Sequence, residues 1–325
     1  MLDFAPGLAL LTSPAILFFF LGAVAAFARS DLVVPEPVAK ATSLYLMLCI
    51  GFKGGAEART AGLHVDFIVA AIIGVALSAA MPLLVYAILK RVTRLDRATL
   101  CAQAATYGSV SVVTFAAGRD YLTVLGMAPG GYMAAVLALM ETPAILTALL
   151  LLNGAADKSP GRGRAILSEV FFGAATVMLL GSFVIGLASG PVGMAKLDLF
   201  VGPLFQGALC FFLLDLGLVA ARRLLAGGQR LTPTLLAFAV LFPVASAAVT
   251  LGVARAAGLT VGDGALLAIL AASASYIAAP AAMRLAAPQA DEAVYVTSSL
   301  AVTFPFNLTV GIALYAVAAT WLWGR

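Results

Sequence analysis

The sequence predicts an all-α polytopic membrane protein: ten transmembrane helices in two inverted five-helix repeats, with helices four and nine broken. Three observations lead there. Of the 325 residues 63% are hydrophobic and only 10% charged, with a mean hydropathy of +1.08; apolar runs of about 20 residues, the length that crosses a bilayer, recur along the whole chain. A polar linker, "GAADKSPGRGR", divides these runs into two sets of five. An odd number of crossings per set inserts the second half upside down, the plan of many secondary transporters. The same small-polar motif then returns once in each half.

The ten runs lie near 8–28, 33–52, 66–89, 99–117, 129–152, 166–188, 200–220, 232–256, 264–281 and 292–323. The first contains "AFA", which resembles a cleavage site. The preceding residues hold Asp3 and neither Lys nor Arg, so a signal peptide's basic region is missing and the run reads as a helix. The fourth and ninth runs are short and interrupted; the tenth is over-long and contains Pro305. The expected organisation is residues 1–153 as the first repeat, 154–165 as a cytoplasmic linker and 166–325 as the second repeat. Lys40, Lys90, Arg91, Arg94, Arg97, Arg162, Arg222 and Arg223 belong to the larger set of basic residues, all on one side of the membrane in this topology. That side should be cytoplasmic, which puts both termini outside.

The repeat is visible in motifs. "YGSVSVVTF" (107–115) aligns with "AASASYIAA" (271–279), setting Ser109 and Ser111 over Ser273 and Ser275. "METPAILTALLL" aligns with "VTFPFNLTVGIAL" on Pro143 and Pro305. A helix that stops inside the bilayer leaves N–H and C=O groups without partners, and such groups survive only within protein or beside a wet cavity. Two half-helix N-termini meeting at one point suit a small anion. Serine and alanine at close spacing also serve tight helix packing; repetition in register favours the site. Ser109, Ser111, Thr114, Ser273, Ser275 and Tyr276 are therefore expected to bind substrate. Glu141, Thr142, Thr303 and Asn307 are expected to bind a coupling Na⁺ or H⁺. An intramembrane carboxylate is costly and usually faces a cavity or a partner, so Glu141 reads as a cation ligand or proton carrier; the plainer alternative is a hydrogen bond to broken-helix backbone. Asp215 reads as structural or gating, Lys53 as neutralising a passing anion or as snorkelling to the surface, and Asn307 and Thr309 as cavity lining or interhelical hydrogen bonds.

Other chemistry finds no support. The sequence holds no GxxxxGK[ST] phosphate loop and no CxxC, and a single His64 supplies neither a metal cluster nor a catalytic triad. No enzyme activity and no cofactor beyond Na⁺ is expected. Cys49, Cys101 and Cys210 lie in or at the edge of apolar runs and read as packing residues. The net charge of +4 carries no nucleic-acid signal, because the basic residues sit beside hydrophobic runs.

The ordered set "IGFKGGAEAR", "YGSVSVVTFAAG", "METPAILTAL", "AASASYIAAPAAMR" and "YVTSSLAVTFPFNLTVGI" resembles the sodium-dependent bicarbonate transporter family, the SbtA-like permeases. The resemblance covers nearly the whole chain. It implies a gate domain of spans 1, 2, 6 and 7, a core domain of spans 3–5 and 8–10, and a homotrimer in membrane lipid. It also implies Na⁺-coupled bicarbonate uptake by movement of core against gate, and a PII-like soluble regulator. The chain departs from the family pattern in places. Val112 and Val113 replace a glycine and a hydroxyl, Tyr276 stands where the family has an aspartate, Phe304 replaces a threonine, and the linker is short and basic rather than long and acidic. Two rival readings follow: a carrier of another small organic acid, proton-coupled or uncoupled, and an anion-binding sensor that does not transport.

Overall fold

The structure is a computed structural model and describes residues 12–62, 65–153 and 174–324. The linker at 154–165, the first residues of expected spans one and six, and His64 lie outside the described residues. The described residues are helical with no strand. Seven helical stretches are long and apolar enough to cross a membrane. In chain order the helices are α1 (Pro14–Phe27), α2 (Glu36–Ala61), α3 (Val65–Val92), α4 (Arg97–Gly108), α5 (Val112–Val124), α6 (Met133–Asn153), α7 (Ala174–Val201), α8 (Pro203–Gly227), α9 (Pro233–Ala256), α10 (Val261–Ala271), α11 (Ala278–Ala286) and α12 (Glu292–Leu322). The seven are α3, the interrupted α4–α5 stretch, α6, α7, α8, α9 and α12; α1 and α10 are apolar but shorter.

Two helices outrun their expected ends. α2 continues through Lys53, Glu57 and Arg59; these charges lower its hydropathy, so apolarity alone places its end too early. α7 runs to Val201, joining two helical pieces across a kink at Gly190, where φ is 57° and ψ is −150°. That left-handed backbone suits glycine, and an added Cβ would sit 2.6 Å from the Arg59 side chain. Arg59 itself donates to the carbonyls of Leu187 and Ala188, holding α2 against the kink.

The packing follows from small residues. α2 lies along α7, and α1 along α8. At Gly186 a Cβ would come 2.1 Å from the Phe52 carbonyl oxygen, so only glycine lets α7 approach α2 this closely. α3 packs on α4 and α6, and α9 on α10. Leu17, Ile72, Leu241 and Trp321 point outward, Trp321 being 81% exposed, as apolar side chains do when the surrounding solvent is hydrocarbon.

Polar caps set the helix ends. Asp96 accepts from Thr99 N, Thr232 from Leu235 N and Thr260 from Asp263 N; each such cap is worth about 1 kcal/mol. Asp263 also accepts from Gly130 N at 2.7 Å and Tyr132 Oη at 2.8 Å. One buried carboxylate thereby fixes both the start of α10 and the turn before α6.

Candidate functional site

The α4–α5 stretch is interrupted at residues 109–111, and α10 and α11 are separated by 272–277. α4 has 12 residues and α10 has 11, about 17 Å of helix each at 1.5 Å per residue, so each ends well inside a hydrocarbon core of about 30 Å. The two interruptions meet. Ser111 N donates to Ser273 Oγ at 2.9 Å, and Ser275 N donates to the Thr106 carbonyl at 2.8 Å. Each gap thus supplies a backbone donor to the other half of the chain.

Hydrogen-bond accounting separates the two kinds of helix end. The last carbonyls of α10 are satisfied: Ser273 Oγ donates to Leu270 O at 2.7 Å, Ser246 Oγ to Ala271 O at 2.7 Å and Asn307 Nδ2 to Ala272 O at 2.8 Å. The starts of α5 and α11 are less complete. Ser111 Oγ accepts from Thr114 N at 3.2 Å and Ser275 Oγ from Ala279 N at 3.1 Å; Pro280, in the first turn of α11, has no N–H to satisfy. The amides of Val112, Val113 and Ala278 are those a helix start leaves without an internal acceptor. These three residues line one cavity of about 30 Å³, room for roughly one or two water molecules. Ser111, Ser275, Tyr276 and Glu141 line it as well, and Ser43, Leu46 and Met47 of α2 and Phe212 of α8 close its other side. The positive ends of two helix dipoles therefore open on one largely apolar space.

The ten expected site residues divide by position. Ser111, Ser275, Tyr276 and Glu141 line the cavity. Ser273 lies behind it and ties the two gaps together. Ser109 Oγ donates to the Glu141 carbonyl at 3.2 Å, bracing α6 against the first gap. Thr114 is 1% exposed and its Oγ1 has no partner among the described residues; the same holds for Oε2 of Glu141, which is 6% exposed. Thr142 follows Glu141 and is 8% exposed. Thr303 and Asn307 are brought to the gaps but not into the cavity wall. Thr303 Oγ1 donates to the Ala239 carbonyl and accepts from Tyr107 Oη, both at 2.7 Å. Asn307 Oδ1 accepts from Tyr315 Oη at 3.0 Å. Both sit at π-helical stretches of α12, Thr297–Thr303 and Asn307–Gly311, whose wider turns rotate them toward α9 and α10. Thr309 bonds back to the Pro305 carbonyl of its own helix. Lys53 lies over the Phe205 ring at 5.9 Å, and Arg284 pairs with Glu292 at 3.2 Å.

Sequence reasoning missed several participants. Gln103 Nε2 donates to Ser298 Oγ at 3.0 Å, joining α4 to α12; an amide side chain inside an apolar run, six residues before the first gap, was the available signal. Ser246 stands alone in an apolar run and gave none. Ser43 and Phe212 belong to helices remote in sequence, and only the fold brings them to the cavity.

Helical throughout the described residues, with seven apolar stretches of membrane length and two helix gaps that meet in its interior, the chain is built as an integral membrane protein. The chain belongs to the Na⁺-dependent bicarbonate transporter superfamily, whose family profile matches residues 14–320. A comparison with individual curated proteins finds no significant match.

Proposed function

We propose that this protein is a secondary transporter that takes up bicarbonate with Na⁺, moving the site across the membrane by sliding a core domain against a gate domain. The observation that carries the reading is the pair of open helix starts, at Val112–Val113 and Ala278, on one buried cavity. No Lys or Arg lines that cavity, so backbone amides and hydroxyls are the groups that hold the anion. Na⁺, as co-substrate, fits the oxygen chemistry beside it: Glu141 carries a carboxylate oxygen without a partner, Thr114 a hydroxyl likewise, and hard oxygen donors suit a hard cation. A carboxylate and a bound anion in one apolar space repel strongly, and a cation bound beside the pair lowers that cost. The sodium requirement follows from the charge balance.

In this reading the chain crosses ten times in two inverted repeats, with both termini outside, α1, α2, α7 and α8 as gate and the remaining helices as core, assembled as a homotrimer. Support for the symmetry comes from the glycine contacts. A Cβ at Gly22 or Gly217 would meet backbone oxygen at 2.0 Å between α1 and α8, and one at Gly55 or Gly186 would do so at 2.0 or 2.1 Å between α2 and α7. Support for sliding comes from the cavity's place between the two groups and from the ion pairs that bridge them. Arg119 of α5 pairs with Glu57 of α2, and Arg223 of α8 with Glu292 of α12 at 3.0 Å. Both pairs are only partly buried, so water can reach them and they can exchange during a transport cycle. The apolar wall formed by Leu46, Met47, Val112 and Phe212 favours a second reading, a small organic acid as cargo.

Purified protein in proteoliposomes should accumulate labelled bicarbonate several-fold more with an inward sodium gradient than with an equal potassium gradient. Accumulation that ignores the gradient defeats sodium coupling. No accumulation of bicarbonate under either gradient, with accumulation of a labelled small carboxylic acid instead, selects the second reading.

A further inference from the structure

We propose that the cavity selects an oxyanion that retains one O–H, with Tyr276 Oη donating to its charged oxygens and Glu141 Oε2 accepting its hydrogen. This rests on the anion-transport reading above and specifies how that site chooses its cargo.

The inference comes from counting hydrogens. Thr114 N donates to Ser111 Oγ at 3.2 Å, and Ser111 Oγ donates to Tyr276 Oη at 3.1 Å. The serine's one hydrogen is thereby used, and Tyr276 Oη is an acceptor in this bond. The phenol's own hydrogen has no acceptor among the described residues. Tyr276 is 8% exposed and lines the cavity, so this hydrogen is available to a ligand there. The relay runs from a helix-start amide through a serine to a phenol, and each bond polarises the next, making Tyr276 a stronger donor than a lone tyrosine. The ring is held in place by Phe304, centroid to centroid at 5.1 Å, and Phe304 in turn packs on Phe19 at 5.4 Å.

A residue of the opposite kind, Glu141, also lines this cavity. Glu141 Oε2 is buried and without a partner among the described residues. The open amides of Val112, Val113 and Ala278, with Tyr276 Oη, form a donor set that would hold any small anion. A carboxylate oxygen beside them repels an anion that presents only lone pairs. It accepts a strong charge-assisted bond from one that presents a hydrogen. Hydrogen carbonate has three oxygens and one hydrogen. Nitrate has the same flat trigonal shape and the same charge, and no hydrogen. Sites that hydrogen-bond a ligand's O–H reject the analogue lacking it, because the buried partner is left unpaired.

The test is thermal unfolding of the purified protein in sodium-containing buffer, titrated with bicarbonate or nitrate. Wild type should be stabilised by bicarbonate and not by nitrate at tenfold higher concentration. Tyr276→Phe keeps the ring on Phe304 but leaves the Ser111 hydroxyl without its acceptor, so its unliganded melting temperature should fall by a few degrees; with each protein's stabilisation read against its own unliganded value, half-saturation by bicarbonate should rise at least about tenfold, the effect of losing roughly one good hydrogen bond to a charged ligand. Glu141→Gln places an amide N–H where the acceptor stood and should bring nitrate and bicarbonate to within about threefold of each other, against at least about tenfold discrimination in wild type. Equal stabilisation of wild type by both anions, or an unchanged half-saturation in Tyr276→Phe, overturns this inference and leaves anion transport standing. A wild-type protein that neither transports bicarbonate nor is stabilised by it overturns the transport reading and this one with it.

Discussion

Replacing Glu141 with glutamine is expected to lower sodium-dependent bicarbonate uptake at least about tenfold and, in the same protein, to raise the melting temperature of the sodium-free form. The two effects have opposite signs because they come from one feature. Glu141 is 6% exposed and its Oε2 has no hydrogen-bond partner among the described residues. A buried, unsatisfied polar group costs about 1–3 kcal/mol, more when charged, and the isosteric amide removes the charge without leaving a cavity. The protein therefore gains stability when the carboxylate is lost. Transport loses the group that holds Na⁺ near the anion, and with it the dependence on the gradient. Uptake assays with and without sodium, beside unfolding curves in sodium-free buffer, read both effects. Intact sodium-dependent uptake in the variant would remove Glu141 from the mechanism.

Replacing Ser273 with alanine, nearly the same in volume, should destabilise the fold and stop uptake together. Ser273 Oγ accepts the Ser111 N–H at 2.9 Å, and both residues are buried. The orphaned amide costs about 1–3 kcal/mol. The hydroxyl's bond to Leu270 O at 2.7 Å is also lost, though that carbonyl keeps the Ser273 N–H at 3.0 Å. The crossing would then rest on the bonds from Ser275 N to Thr106 O at 2.8 Å and from Ser111 Oγ to Tyr276 Oη at 3.1 Å. The melting temperature should fall by several degrees, and uptake should fall with it, because the starts of α5 and α11 no longer face one point. A variant as stable and as active as wild type would show that the crossing needs no such tie.

Much of this site was legible before the structure. Ser-x-Ser stretches within membrane-length apolar runs, echoed in both halves, marked the places where the helices stop, because small polar residues in hydrocarbon need a reason to be there. Glu141 announced itself by its cost. Thr303 and Asn307 show where such reading ends. Their polarity was visible, but which way they face depends on two π-helical stretches in α12, and a shift of one residue per turn leaves no mark in composition. They hold Ala239 O and Ala272 O in place instead of lining the cavity. Ser43, Met47 and Phe212 could not be found at all, since their part comes from the packing of α2 and α8 against the gaps. The length of α2 was misjudged for a related reason: Lys53, Glu57 and Arg59 look like a helix end until Arg119 and the carbonyls of α7 are seen to receive Glu57 and Arg59.

The central claim is that two helix starts, brought together inside the membrane, form the place where the anion binds. A cryo-electron microscopy map of the protein in sodium bicarbonate tests it most directly. The account predicts density for a small anion touching the amides of Val112, Val113 and Ala278 and the Tyr276 hydroxyl. Bicarbonate density elsewhere, with this cavity empty at a concentration that saturates transport, would contradict it.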